Sequence, residues 1–149
     1  MRSSEFMRRL PDEIQSRLPP NMPRFKARVW NWGCHLYEET PRLHYETVRT
    51  SVRFGDRLEM GLHFESRSPQ VNQALLAFFQ EHLVEVKASL GEGFEAEPWD
   101  RGWTKVYETI PLQPYDHEFL AHVADRMAQI ITVLDPLFKR ALESVRSIP

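Results

Sequence analysis

Leu58, Met60, Leu62 and Phe64 alternate without interruption with Glu59, Gly61, His63 and Glu65. Successive side chains of a strand point to opposite faces, so only a β-strand gathers the four apolar residues on one side; a helix would scatter them round its axis. The chain therefore contains a sheet with one face on an apolar core and the other carrying carboxylate and imidazole groups towards solvent or a partner. The alternation recurs where Thr104, Val106, Glu108 and Ile110 interleave with Trp103, Lys105, Tyr107 and Thr109. With the first set on the core, Trp103, Lys105 and Tyr107 share the open face.

Extended patterns on either side complete the sheet. Residues 44–54 read as a strand, with Gly55-Asp56 as the hairpin turn into Leu58. The run from Phe25 to Tyr37, containing Val29, Trp30 and Trp32, suits a single strand with Gly33 as a bulge, and Pro41 marks the turn after it. Phe94 and Ala96 form a short extended piece, joined through Asp100-Arg101-Gly102 to the strand over 103–110, which Pro111 and Pro114 end.

Helical spacing occupies the remainder. Leu10, Ile14 and Leu18 make one stripe on an N-terminal helix that Pro19-Pro20 stops. Ser68 and Pro69 suit the N-cap and first position of a helix running to Gly91. Its apolar residues, from Val71 through Phe79 to Leu90, span an arc of about 160°, wide enough for deep burial or for burial plus a dimer contact. Asp116 caps a closing helix whose face runs from Phe119 through Met127 and Ile131 to Phe138, with Pro136 expected to kink it or start a new segment after Leu134.

The expected class is α+β, with a two-layer architecture: a five-stranded, mainly antiparallel sheet with helices packed on one face. No repeat or Gly/Ser linker divides the chain, so residues 1–149 read as a single domain. Residues 1–6 look like a cloning remnant before a natural start at Met7, and residues 7–20 form the N-terminal helix and Pro-rich turn.

The element order α-β-β-β-α-β-β-α resembles the secretion-chaperone-like fold, shared by type III secretion chaperones and by families with other roles. The resemblance covers nearly all of the chain as element order and matches no motif. It implies a small, catalytically silent domain that dimerises and presents a sheet or helix surface to a protein partner, although those chaperones are usually more acidic. Residues 70–140, with a helix, Gly91, Trp99, a final strand and a long closing helix, are similar to an uncharacterised prokaryotic domain sometimes encoded beside restriction or nuclease modules. That similarity implies an accessory role near nucleic acid.

Charge and motif content narrow the function. The formal net charge is −2 and the basic residues are dispersed, which disfavours a dedicated nucleic-acid binder. No apolar run approaches the roughly 18 residues of a membrane span, and the single cysteine, Cys34, has no internal disulfide partner, so a cytoplasmic protein is expected. There is no GxSxG, no phosphate loop, and no HxH, HExxH or CxxC spacing; no catalytic residue, cofactor or metal is expected on that basis. Cys34 and His35 are adjacent in a strand and should point to opposite faces. Glu118, His122, Asp125 and Gln129 share a helix direction opposite the apolar stripe and read as a solvated surface, while His82, inside an apolar arc, reads as a satisfied core histidine.

The leading expectation is a non-enzymatic protein-interaction domain, chaperone-like or adaptor, acting as a homodimer. Its contact residues would be Trp99, Arg101, Trp103, Lys105 and Tyr107, with Arg49, Glu59 and His63 at the margin. A nucleic-acid accessory role would instead use Arg49, Arg53, Arg101 and Lys105. A small-molecule or metal-dependent enzyme would require His35, His44 and His63, from three neighbouring strands, to converge in one pocket.

Overall fold

Alternating hydrophobicity and short turns make each strand pair with a neighbour in sequence. The computed structural model describes residues 1–52, 55–146 and 148, which form four helices and six strands. In chain order these are α1 (Ser3–Arg17), β1 (Lys26–Trp30), β2 (Gly33–Tyr37), β3 (Leu43–Val52), β4 (Gly55–Phe64), α2 (Pro69–Glu81), α3 (Leu83–Leu90), β5 (Glu95–Asp100), β6 (Trp103–Pro111) and α4 (His117–Val145). The strands form one antiparallel sheet in the order β1-β2-β3-β4-β6-β5. The helical connection after β4 thus carries the chain past one position to the far edge, and β6 returns into the gap.

The sixth strand corrects the expected five. Residues 25–37 do not form a single strand but a hairpin, with Trp30 paired to Gly33 across Asn31-Trp32. Gly33 is no bulge: a Cβ there would fall 2.8 Å from the Thr47 carbonyl oxygen, so glycine permits close approach of β3. Gly55 and Asp56 lie within β4, opposite Val52 and Ser51, rather than in a turn. The two residues before Gly55, Arg53 and Phe54, lie outside the described residues.

The expected helix over 68–91 divides at His82 (φ −105°, ψ 10°), whose amide donates to the Phe78 and Phe79 carbonyls. Pro136, by contrast, neither interrupts nor restarts α4, a single 29-residue element; it leaves the Thr132 carbonyl without its helical N–H partner. Both expected caps form, Ser68 Oγ accepting from Val71 N at 3.4 Å and Asp116 Oδ1 from Phe119 N at 2.8 Å.

All four helices cover the same sheet face. Phe6, Ile14, Leu75, Phe79, Val123 and Ile131 meet Leu36, Tyr45, Met60, Leu62, Phe64 and Val106 in one core. Phe6 is wholly buried, with its ring 4.8 Å from that of Tyr115 and 5.6 Å from that of Phe119, so the segment before Met7 packs into the fold. Polar ties cross the layers as well: Tyr45 donates to Asp135 at 2.7 Å, and Arg126 makes a fork to Glu108 at 2.6 and 2.9 Å while also reaching the Leu90 carbonyl. The edge strands differ in charge. The exposed β1 carries Lys26 and Arg28, whereas β5 carries Glu95 and Glu97 and is irregular between Pro98 and Asp100.

Candidate functional site

Period-two geometry assembles the open face. On β3 the residues opposite the core are His44, Glu46, Val48 and Thr50; on β4 and just beyond it they are Glu59, Gly61, His63 and Glu65. The register pairs His44 directly with His63, so two His-x-Glu segments, His44-Tyr45-Glu46 and His63-Phe64-Glu65, run antiparallel side by side. β2 adds His35, β6 adds Trp103, Lys105 and Tyr107, and β5 adds Trp99. Gly61 keeps the floor clear. It lies between Glu59 and His63 on this face, and a Cβ there would fall 2.2 Å from the Val106 carbonyl oxygen.

The polar groups form one network. Glu46 Oε1 lies 2.6 Å from His35 Nε2 and 3.0 Å from His44 Nε2. His63 Nε2 lies 2.9 Å from Glu59 Oε2, its Nδ1 lies 3.3 Å from Glu65 Oε2, and Lys105 donates to Glu59 Oε1 at 2.7 Å. His44 Nδ1 stands 2.7 Å from the Pro41 carbonyl, which can only accept, so Nδ1 carries the hydrogen. Both His44 and His63 are 1% exposed.

Burial and ion pairing oppose each other here. Burial raises the Glu46 carboxyl, but hydrogen bonds from His35 and His44 outweigh it and hold the group well below the usual carboxylate range. Glu59 follows the same logic, with burial overcome by His63 and Lys105. Burial lowers His63, but bonds to Glu59 and Glu65 carry it up to about 9, so it is an imidazolium at neutral pH. At His35 burial wins, and the ring titrates below its ordinary value despite Glu46.

Aromatic rings continue the row on both sides. Trp32 stacks on Trp30 at 5.3 Å and Trp30 meets His35 at 4.6 Å; His35 stacks on His44 at 3.6 Å and His44 on His63 at 5.5 Å; His63 meets Trp99 at 5.8 Å and Trp99 meets Trp103 at 5.5 Å. Over this floor lies a cavity of about 400 Å³ whose lining includes Trp32, His35, Glu46, His63, Trp99 and Lys105. A second cavity, of about 320 Å³, lies beside the end of α4 among Phe25, Tyr45, Phe138 and Leu142, and no imidazole lines it. Groups with displaced protonation occur on both sides of the sheet, but those on the open face, His35, Glu46, Glu59 and His63, are linked in one network beneath a cavity, the arrangement found at functional sites.

No family model, curated protein or solved structure matches this chain.

Of the residues singled out in the sequence, Trp99, Trp103, Lys105, Tyr107, Glu59 and His63 do share the open face. Lys105 sits over the rings of Trp99 and Tyr107, and the Tyr107 hydroxyl donates to Glu97. Arg101 stands apart on the turn, its guanidinium 5.7 Å from the Trp103 ring. The turn itself is of the primed type, with Arg101 at φ 49° and Gly102 at φ 81°. Asn72, buried in α2, anchors it by donating to the Gly102 carbonyl at 3.0 Å, which fixes the tryptophan wall to the helical layer.

Arg49 does not join that face. Counting by twos from His44 turns it to the helix side, where it pairs with Asp56 at 2.7 Å. Arg53 lies outside the described residues, so the arginines and Lys105 proposed to meet nucleic acid are not brought into one patch among the described residues. His82 stacks on Phe78 and its Nδ1 donates to the Phe78 carbonyl at 2.7 Å. Glu118, His122, Asp125 and Gln129 are all exposed, with Asp125 2.6 Å from Arg17. Cys34 is buried on the core side, away from His35, and burial pushes its thiol up to about 12.

His35, His44 and His63 converge, and they bring Glu46 and Glu65, which sequence reasoning passed over. A search for short metal or catalytic motifs within one segment misses them, because the two halves are 19 positions apart. The detectable signal was the repeated His-x-Glu on two strands that a hairpin makes antiparallel.

Proposed function

We propose that this chain is a small-ligand-binding domain of the open-sheet type, taking a flat, ring-bearing molecule between Trp32 and Trp99 with its polar end on the His35–Glu46–His63–Glu59 floor. The observation that carries the reading is the convergence of three imidazoles and three carboxylates beneath an aromatic-walled cavity of about 400 Å³, a volume suited to a small molecule. A sheet face serving only for solubility has no need of two histidines at 1% exposure, each held by separate hydrogen bonds. Such a constellation suits proton transfer or polarisation of a bound group, because imidazolium His63 and neutral His35 share Glu46 within 3.5 Å.

Benzamidine and benzoate are suitable probes, offering the same ring with opposite charge. In amide and indole N–H spectra of labelled protein, the reading expects shifts confined to Trp32, Trp99, Trp103, Gly61 and Lys105, with benzamidine favoured by the carboxylates. Shifts scattered over the helical layer, or none at millimolar probe, would refute it.

A second reading keeps the docking role expected from the sequence: Trp32 is 52% exposed and Trp99 42%, so the cavity rim itself offers apolar contact to a protein, including a second copy of the chain. Light scattering over a concentration series tests self-association. A dimer that Trp32→Ala dissociates supports this reading, and a monomer at all concentrations removes the homodimer.

A further inference from the structure

We propose that His44, Glu46, His63 and Glu65 bind a divalent first-row transition metal at the floor of the open-face cavity; this deepens the small-ligand reading by supplying the group to which the ligand's polar end would bind. One donor atom from each residue can be chosen so that all four lie within 4.8 Å of one another. Ligand atoms tetrahedrally placed about 2.1 Å from a metal stand about 3.4 Å apart, so the widest pair must close by about 1.4 Å, roughly 0.7 Å from each side chain.

The hydrogen-bond pattern selects Nε2 as the ligating nitrogen of His44, whereas at His63 both nitrogens face a carboxylate of the set, Nδ1 towards Glu65 at 3.3 Å and Nε2 towards Glu46 at 3.5 Å. His44 uses Nδ1–H to bond the Pro41 carbonyl and turns Nε2 towards Glu46 Oε1 at 3.0 Å and Glu65 Oε2 at 3.9 Å. With Nδ1–H committed to Pro41, Nε2 is the nitrogen whose hydrogen a cation lying between the two carboxylates would replace. His63 faces Glu59 with Nε2 at 2.9 Å and leaves Nδ1 towards Glu65 at 3.3 Å. With His63 ligating through Nδ1, each imidazole has its second nitrogen held by an outer oxygen, the carbonyl of Pro41 or the carboxylate of Glu59, and Lys105 holds Glu59 in turn. This is how metal-bound histidines are oriented.

Charge agrees. The cavity lining includes Glu46, Glu59 and Glu65 against Lys105, so once a metal displaces the ring proton of His63 an excess of two negative charges is left, which a divalent ion balances. Two imidazoles beside two carboxylates favour zinc, iron, cobalt, nickel or manganese over magnesium and calcium, which prefer oxygen alone. Glu46, His63 and Glu65 also line the cavity, so the side of the metal away from His44 would face the tryptophans and remain open to a ligand. The sequence hides this arrangement because neither His-x-Glu pair suffices without the register of the hairpin.

Cobalt(II) added to chelator-treated full-length protein tests the proposal, since it is bound by the same donors as zinc and reports its ligands through visible absorption. The expected result is one cobalt per chain with saturating d–d bands, displaced by zinc but not by a hundredfold excess of magnesium. Glu65→Gln, which keeps the shape of the side chain, should weaken binding at least as much as the roughly 10–100-fold typical of outer-shell changes. Glu59→Gln should fall within that range, and His122→Gln on the exposed face of α4 should leave binding unchanged. Each variant is first checked for wild-type near-ultraviolet circular dichroism. Folded wild-type protein that takes up no cobalt at millimolar concentration, or binding undiminished in folded Glu65→Gln, overturns the metal site. Neither result touches the pocket reading, because the probe titrations are run with chelator present.

Discussion

Replacing Gly61 by alanine adds one methyl group at the tightest point of the sheet. A Cβ at that position would stand 2.2 Å from the Val106 carbonyl oxygen, 2.6 Å from Tyr107 Cα and 2.7 Å from Tyr107 Cβ. The first two are backbone atoms, so no rotamer change relieves the clash, and β6 must retreat from β4. That strand cannot move freely, because it is bonded to β4 on one side and β5 on the other while Val106 is wholly buried in the core. Overpacking that displaces backbone costs roughly 1–3 kcal/mol, and the absence of a soft neighbour puts Gly61→Ala at the upper end, about 3 kcal/mol. For a domain of this size that lowers Tm by roughly 6–12 °C. Gly93→Ala is the control, since a Cβ there meets nothing within 4 Å and φ is not positive; it should be neutral or stabilise by about 0.4–1 kcal/mol through the unfolded chain. Urea unfolding followed by far-ultraviolet circular dichroism measures both. A Gly61→Ala protein within 0.5 kcal/mol of wild type would refute the close approach of β4 and β6, and with it the placement of Glu59 and His63 over a cleared floor.

Other consequences can be measured on the same preparation. Tyr45→Phe removes the donor to Asp135, a buried carboxylate, and should cost about 2 kcal/mol near neutral pH, read by denaturant unfolding; no change would mean that the two groups do not bond. Arg126→Met frees Glu108, which is 8% exposed, and loosens the tie between α4, β6 and the end of α3; a loss of about 2–3 kcal/mol is expected, and a neutral effect would place that fork in solvent. Cys34 should resist a thiol reagent at pH 8 until the protein unfolds, and rapid labelling of folded protein would contradict its burial. Its folded thiol titrates at about 12 against an ordinary 9.0, so the folded state holds the proton longer. Stability conferred by Cys34 relative to Cys34→Ala should therefore shrink as pH rises from 9 towards 12.

The face assignment of β4 and β6 was legible because the core-facing residues there recur every second position; burial follows that period in β6, whereas in β4 both faces are buried, because the polar network closes over Glu59, Gly61 and His63. The β1–β2 hairpin was not, because Asn31-Trp32 lacks the Gly or Asp that advertises a tight turn, and the glycine beside it serves the approach of β3 instead. His82 shows a different limit: its neighbours continue the helical period across the break, so hydrophobic spacing alone reads α2 and α3 as one helix. At the site, Trp103, Lys105 and Tyr107 follow from strand parity, and parity also excludes Arg49, an odd-numbered residue on a strand whose open face is even. The histidine convergence needed register as well as parity. A shift of two residues between β3 and β4 keeps every side chain on its face yet separates His44 from His63, and parity does not fix that register.

The two free edges of the sheet bear on whether this molecule can assemble through its backbone. Lys26 and Arg28 on β1 repel a second β1, and Glu95 and Glu97 on β5 repel a second β5, so symmetric strand-to-strand pairing is opposed at either end. A β1 edge meeting a β5 edge is electrostatically matched, however, and such a head-to-tail contact leaves a free edge at each end, so that it adds copies until a rotation closes a ring and otherwise propagates as a filament. Against that outcome the chain sets Pro98, which has no N–H to give an incoming strand, and the irregularity that follows it. Pro98 is thus a polymerisation guard placed next to Trp99, one residue from the wall of the cavity.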